Sequence, residues 1–250
     1  MSTTTLHESP AIDLKLVSAQ DRKELMISDS ASIDSNTTLG ASELCFTPIK
    51  SFYVNTRGIA LMRLPLPPSE LETTIHGVDS SLVYKSTRAK RNSGNCVLTD
   101  ADGCPLVNTT YYFGPSRDPV LNRLDLAEGE FQEIKTISKW TSRNHTFLLP
   151  DGRTCTWKYK RERGFGAKGA KGTALVLTLN GKRLAALLRN DETRTPGSRS
   201  CSAGHGGELV LGDDANGIGE ALVIATCLLM LKKEIDLRRT VQFLIISSAI

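Results

Sequence analysis

Eleven consecutive positions, residues 221–231 (ALVIATCLLML), are apolar except for Thr226. A helix that is apolar around its whole circumference must be buried around its whole circumference. Asp213, Asp214 and Asn216 stand just before the run as N-cap donors of side-chain oxygen. Lys232, Lys233, Arg238 and Arg239 follow it, where positive charge complements a helix C-terminus. The pattern predicts a helix near 217–239, with the Thr226 hydroxyl bonded back to its own helix. Eleven residues cover about 16 Å, against about 30 Å of bilayer hydrocarbon. No transmembrane span is therefore expected, and the enclosure has to come from the rest of the chain.

That remainder reads as short strands separated by turn chemistry. Asp102-Gly103, Asp151-Gly152 and Asn180-Gly181 each sit between runs of strand-forming residues. Asp-Gly and Asn-Gly tolerate the positive φ that a tight hairpin needs. Cys155, Trp157 and Tyr159 alternate with Thr156, Lys158 and Lys160, so one face is apolar and the other polar. Further strands are expected at 51–54, 59–63, 82–86, 109–113, 131–137 and 208–211. About twelve short antiparallel strands predict a mainly β fold, a closed antiparallel β-barrel around the apolar C-terminal α-helix.

Residues 1–49 carry three basic and seven acidic side chains, whereas the remainder carries 28 basic and 20 acidic ones. The run SDSASIDSNTTLGAS (28–42) has no helical or strand period, so residues 1–48 are expected to be a disordered or loosely attached leader. The barrel is then expected over 49–239. Residues 240–250 (TVQFLIISSAI) read equally as an extra strand or as a greasy extension. The six cysteines contain no C-x-x-C pair and read as free structural thiols. The N-terminus lacks a basic stretch followed by an apolar one, so no secretory signal is expected and a cytoplasmic location fits.

Three segments carry a family resemblance: CVLTDADGCPLV (96–107), WTSRNHTFLLPDGRTCTWKY (140–159) and ELVLGDDANGIGEALVIATCLLMLKKEIDLRR (208–239). Their order resembles the tubby C-terminal-like superfamily, and most closely its fungal tubby-like, LURP-one-related proteins. The resemblance spans roughly residues 50–239. It implies a closed barrel around a central hydrophobic helix and, by analogy with tubby proteins, binding of phosphoinositides. None of tubby's own headgroup residues aligns with this chain, so none is carried over.

From Lys158 to Arg183 eight basic residues (Lys158, Lys160, Arg161, Arg163, Lys168, Lys171, Lys182, Arg183) stand against one acid, Glu162. Within this stretch RGFGAKGAKG is a glycine-rich loop whose backbone N–H groups could meet a phosphate. Its literal G-x-G-x-x-G precedes a strand rather than opening a helix, which excludes a dinucleotide fingerprint. A smaller acid-free cluster is Lys85, Arg88, Lys90 and Arg91. Both clusters read either as solvated surface or as an anionic-headgroup site.

The four histidines are dispersed and no G-x-S-x-G elbow exists, so neither a metal site nor a hydrolase is legible. The sequence predicts a non-enzymatic, monomeric protein with no cofactor and no specific nucleic-acid partner. Its expected partner is an anionic membrane lipid or an acidic protein, which would place it peripherally at a membrane. A regulatory adaptor without lipid binding is the alternative, and an enzyme whose site is assembled from distant strands ranks third.

Overall fold

The computed structural model describes residues 17–30, 46–60, 70–91, 93–115, 118–126 and 132–248. Twelve strands close into an antiparallel barrel. Around the wall they run β1 (Pro48–Asn55), β14 (Gly207–Gly212), β12 (Lys182–Leu188), β11 (Lys171–Leu179), β10 (Thr154–Arg163) and β9 (His145–Leu148). The circuit continues through β8 (Gln132–Thr136), β7 (Val120–Arg123), β6 (Pro105–Thr110), β5 (Cys96–Asp100), β4 (Leu82–Thr87) and β3 (Glu72–His76), which pairs with β1. β2 (Ile59–Ala60) and β13 (Cys201–Ala203) form a separate two-stranded sheet. The expected Asn180-Gly181 hairpin is present, with both residues at positive φ (50° and 82°) as such a turn requires.

The barrel is filled by α2 (Glu220–Ser248), of 29 residues. Every residue from 221 to 231 is buried, and Phe147, Trp157, Leu175, Leu177 and Leu187 meet them from the wall at 0% exposure. Thr226 turns out to be more than a tolerated hydroxyl. Its Oγ1 donates to the Val223 carbonyl at 2.9 Å and accepts the Trp157 indole N–H at 3.0 Å. The one polar position of the core run thereby satisfies the one buried indole, which otherwise would leave a donor unpaired in an apolar interior.

Three sequence expectations change. The helix begins at Glu220 after a 3₁₀ turn at Asp213–Gly217, so the residue directly before it is Gly219, at φ 88°, and not Asp213, Asp214 or Asn216. The helix does not stop at 239: residues 240–248 continue it, which removes the strand alternative for that stretch. Lys232 and Lys233 consequently lie mid-helix, 6% and 3% exposed, instead of at a solvated terminus. The third change concerns the leader. Residues 19–30 form α1 (Ala19–Ser30), and Val17 and Leu25 pack against Val241 and Leu244 of α2. The remaining leader positions, 1–16 and 31–45, lie outside the described residues, as does Cys45. The other five cysteines are free; burial pushes the Cys155 and Cys227 thiols up to about 12, which makes them inert as nucleophiles.

No helix among the described residues is long and apolar enough to cross a membrane.

Candidate functional site

Because neighbouring strands of the barrel are antiparallel, successive turns fall at opposite ends. One end, where α2 enters, carries Asp79, Asp102, Asp125, Asp151, Asp213 and Asp214 in its connections. Asp is used there for turn chemistry: Asp79 accepts from the Ser81 N–H at 3.1 Å, and Asp151 from the Arg153 N–H at 2.9 Å. Basic residues at this end are matched by acids. Lys50 meets Glu220 at 2.8 Å, Arg123 meets Asp125 at 2.9 Å and Lys182 meets Asp214 at 2.7 Å. The end where α2 leaves carries the opposite sign. Its connections and the strand ends beside them hold Arg88, Lys90 and Arg91, then Lys139 and Arg143, then Arg163, Lys168 and Lys171, then Arg194 and Arg199, which outnumber Glu70, Asp118, Asp191 and Glu192.

The structure divides the eight-residue basic stretch. β10 and β11 pair without a bulge, Tyr159 opposite Leu175, Arg161 opposite Thr173 and Arg163 opposite Lys171. Arg161, Arg163 and Lys171 therefore share the face that continues Trp157 and Tyr159, and all three are exposed. Lys158, exposed, and Lys160, half-buried, lie on the other face with Glu162. Arg183 is buried there: its guanidinium bonds Glu162 at 2.6 Å and lies 5.2 Å from the Phe165 ring centroid. Lys182 belongs to the entry end and is bound to Asp214. Lys85, Arg88, Lys90 and Arg91 belong to β4 and its following connection, halfway around the barrel from β10, so the two clusters cannot form one site. Lys85 bonds Glu72 at 2.9 Å, and Arg88 donates to the Glu70 carbonyl at 3.4 Å.

The glycine-rich loop is not an open cradle of N–H groups. The Gly164 and Gly166 amides donate to Ala170 O, the Ala170 amide to Ala167 O, and the Lys168 amide to the Glu192 carboxylate. Phe165 covers Ala174, Val176 and Ala186 on the outer wall. The loop's backbone donors serve its own closure and a bond to Glu192, while the Lys168 side chain stays exposed.

Sequence inspection missed a buried polar network just inside the exit end. Arg189 at the end of β12 bonds Glu234 of α2 at 2.8 Å, and the Gly204 amide donates to the same carboxylate oxygen at 2.8 Å. The Tyr159 hydroxyl donates to the other oxygen. Only glycine fits at 204, where φ is 71° and a Cβ would lie 2.2 Å from Ile235. Burial pushes the Glu234 carboxyl up, but the Arg189 charge and the three donors outweigh it and hold the group below its usual range. Burial and the Glu234 charge drive the Tyr159 phenol upward, so it remains a donor.

On the neighbouring turn, Lys233 donates to the Lys139 carbonyl at 3.1 Å and lies 3.0 Å from His145 Nδ1. Burial pushes its amine down to about 7. Burial, then the Lys233 charge, also holds His145 well below its usual value, so the imidazole stays neutral. Arg143 caps the group, its guanidinium 4.6 Å from the Tyr159 ring centroid, within cation–π range. The partners of Glu234 lie 30 to 75 residues away in the chain, a separation at which no local spacing signal exists.

No cluster of His, Cys, Asp or Glu among the described residues could hold a metal ion. No family model, curated protein or solved structure matches this chain.

Proposed function

We propose that the chain is a non-enzymatic, peripheral binding module that docks its exit end on an anionic phospholipid surface, with phosphoinositides as the favoured lipids. The observation that carries this is the face of the β10–β11 hairpin on which Arg161, Arg163 and Lys171 are exposed together and no acid is present. Lys168 at the hairpin tip adds a fourth exposed cation. Exposed Phe243, Ile245 and Ile246 in the last turns of α2 (45%, 41% and 38%) supply apolar side chains beyond the same end. Cations beside exposed apolar residues are the combination that a headgroup boundary accepts. At the entry end the cations are instead neutralised, Lys50 by Glu220, Arg123 by Asp125 and Lys182 by Asp214.

Each cation near an anionic membrane contributes up to about 1 kcal/mol, so four give useful but salt-sensitive binding. Vesicle flotation tests it. The protein should float with phosphoinositide-containing vesicles, should not float with pure phosphatidylcholine, and should be released when salt shrinks the Debye length from about 10 Å to a few ångströms. Equal flotation with both vesicles, or with neither, contradicts the proposal. An acidic protein partner for the same hairpin face would then be the replacement.

A further inference from the structure

Where α2 leaves the barrel it becomes apolar a second time. Five of the six residues 241–246 (VQFLII) are apolar, and a helix apolar around its circumference has to be covered around it. Here the cover is one-sided. Leu237, Val241 and Leu244 stand at i, i+4 and i+7 on one side of the helix, and Val17 and Leu25, at the start of and within α1, pack with them. Phe243 and Ile246 fall on the other side and are 45% and 38% exposed.

α1 is a poorly anchored cover. Between residues 17 and 26 only Val17 and Leu25 are buried, and AQDRKELMISDS lacks an apolar stripe repeating over two turns. Leu25 borders a cavity of about 70 Å³ that Met230, Leu237 and Val241 also line, so the leucine that seats the helix forgoes part of its contacts. The polar ties lie at the surface. Glu24 accepts from the Thr141 hydroxyl at 2.9 Å and meets Lys139 at 3.5 Å, the lysine side chain being 74% exposed. Exposed pairs of this kind add little.

We infer that α1 is a releasable cover on the exit half of α2, displaced by an anionic phospholipid surface. Such control presupposes the lipid docking proposed above. A surface shifts an equilibrium of this kind only by binding the uncovered state better. Uncovering supplies that difference: Leu237, Val241 and Leu244 join Phe243 and Ile246, and Lys139 is freed from Glu24 to face headgroups. An apolar helix beside cations suits a headgroup boundary. Trp140 packs on the same apolar group, so it loses part of its cover when α1 leaves. Trp157, the other tryptophan of the chain, is 0% exposed in the barrel and should not respond.

Leu25→Asp in the whole chain unseats α1 without altering the barrel wall. In solution, acrylamide should quench its tryptophan fluorescence more strongly than that of wild type, and trypsin should cut it faster at Arg22 and Lys23, with the melting temperature of the barrel unchanged. On phosphoinositide vesicles it should bind about fivefold more tightly than wild type, the gain that one further membrane-facing cation supplies. The added carboxylate by itself works against that gain. Wild type should become cleavable at Arg22 and Lys23 when it is bound to the same vesicles, a measurement that needs no variant. Wild type that floats with α1 still protected, or Leu25→Asp that gains nothing or melts far below wild type, overturns the cover and leaves the lipid docking standing. Flotation of neither protein, or equal flotation of both with pure phosphatidylcholine, overturns the lipid docking and with it the release.

Discussion

Leu229→Asp is expected to abolish the folded barrel at ordinary temperatures, and Leu222→Asp to do the same. Both leucines are 3% exposed in the enclosed part of α2. Their apolar contacts are lost, each worth about 1.5–3 kcal/mol for a fully buried side chain. A carboxylate without a partner would also enter the dry interior, costing several kcal/mol more or forcing its protonation. The sum is comparable to the whole stability of an ordinary domain, about 5–15 kcal/mol. Leu229→Met, which nearly conserves volume, should cost under about 1.5 kcal/mol. Circular dichroism melts of the three variants decide the matter. A Leu229→Asp protein melting with the wild type would mean that the helix is not enclosed.

The second large effect is expected at Glu234. Glu234→Leu leaves Arg189 buried without its carboxylate and removes the acceptor of both the Tyr159 hydroxyl and the Gly204 amide. Breaking a buried ion pair from one side costs about 3–5 kcal/mol, because the surviving charge is uncompensated. For a chain of this size, about 2–4 °C of Tm is lost per kcal/mol, so a fall on the order of 10 °C is predicted. Replacing both partners, Glu234→Leu with Arg189→Met, should recover much of the loss, since an apolar pair of similar volume often matches a buried ion pair. Single variants within 1 °C of wild type, or a double variant worse than either, would show that the two charges do not work as a pair.

Much of the barrel could be read from local chemistry. Asp-Gly and Asn-Gly turns marked hairpins, and the unbroken apolar run of 221–231 demanded an enclosure. β3 escaped notice because ETTIH is mostly polar, and β7 because VLNR is too short to show alternation. Of the expected strand 109–113 only 109 and 110 are strand, and they extend the run after the Asp102-Gly103 turn into the single strand β6 (Pro105–Thr110). The length of α2 was hidden by KKEIDLRR, which reads as a solvated helix end. Lys232 is buried against Asp236 at 2.6 Å and Lys233 against His145 and Lys139, partners that make their burial tolerable. α1 gave little signal because its packing on α2 rests on few residues, chiefly Leu25.

The basic stretch was legible as charge and misleading as a unit. Strand alternation puts Arg161 and Arg163 on one face and Lys158 and Lys160 on the other, while Glu162 and Asp214 neutralise Arg183 and Lys182. Asp214 lies 32 positions from Lys182 along the chain, so that pairing follows only from the closed barrel. The Arg189–Glu234–Tyr159 group is invisible for the same reason: each member comes from a different element.

If one end of the barrel, through one face of one hairpin, meets anionic lipid as proposed, two charge-reversal variants should separate in flotation on phosphoinositide vesicles. Arg161→Glu with Arg163→Glu and Lys171→Glu reverses the exposed hairpin face, whereas Lys50→Glu with Lys182→Glu changes the entry end. The hairpin variant should lose well over tenfold in vesicle binding with its melting temperature unchanged, and the entry-end variant should bind within about twofold of wild type, as the loss of up to about 1 kcal/mol for each membrane-facing cation requires. Equal losses in both, or undiminished binding by the hairpin variant, would contradict it.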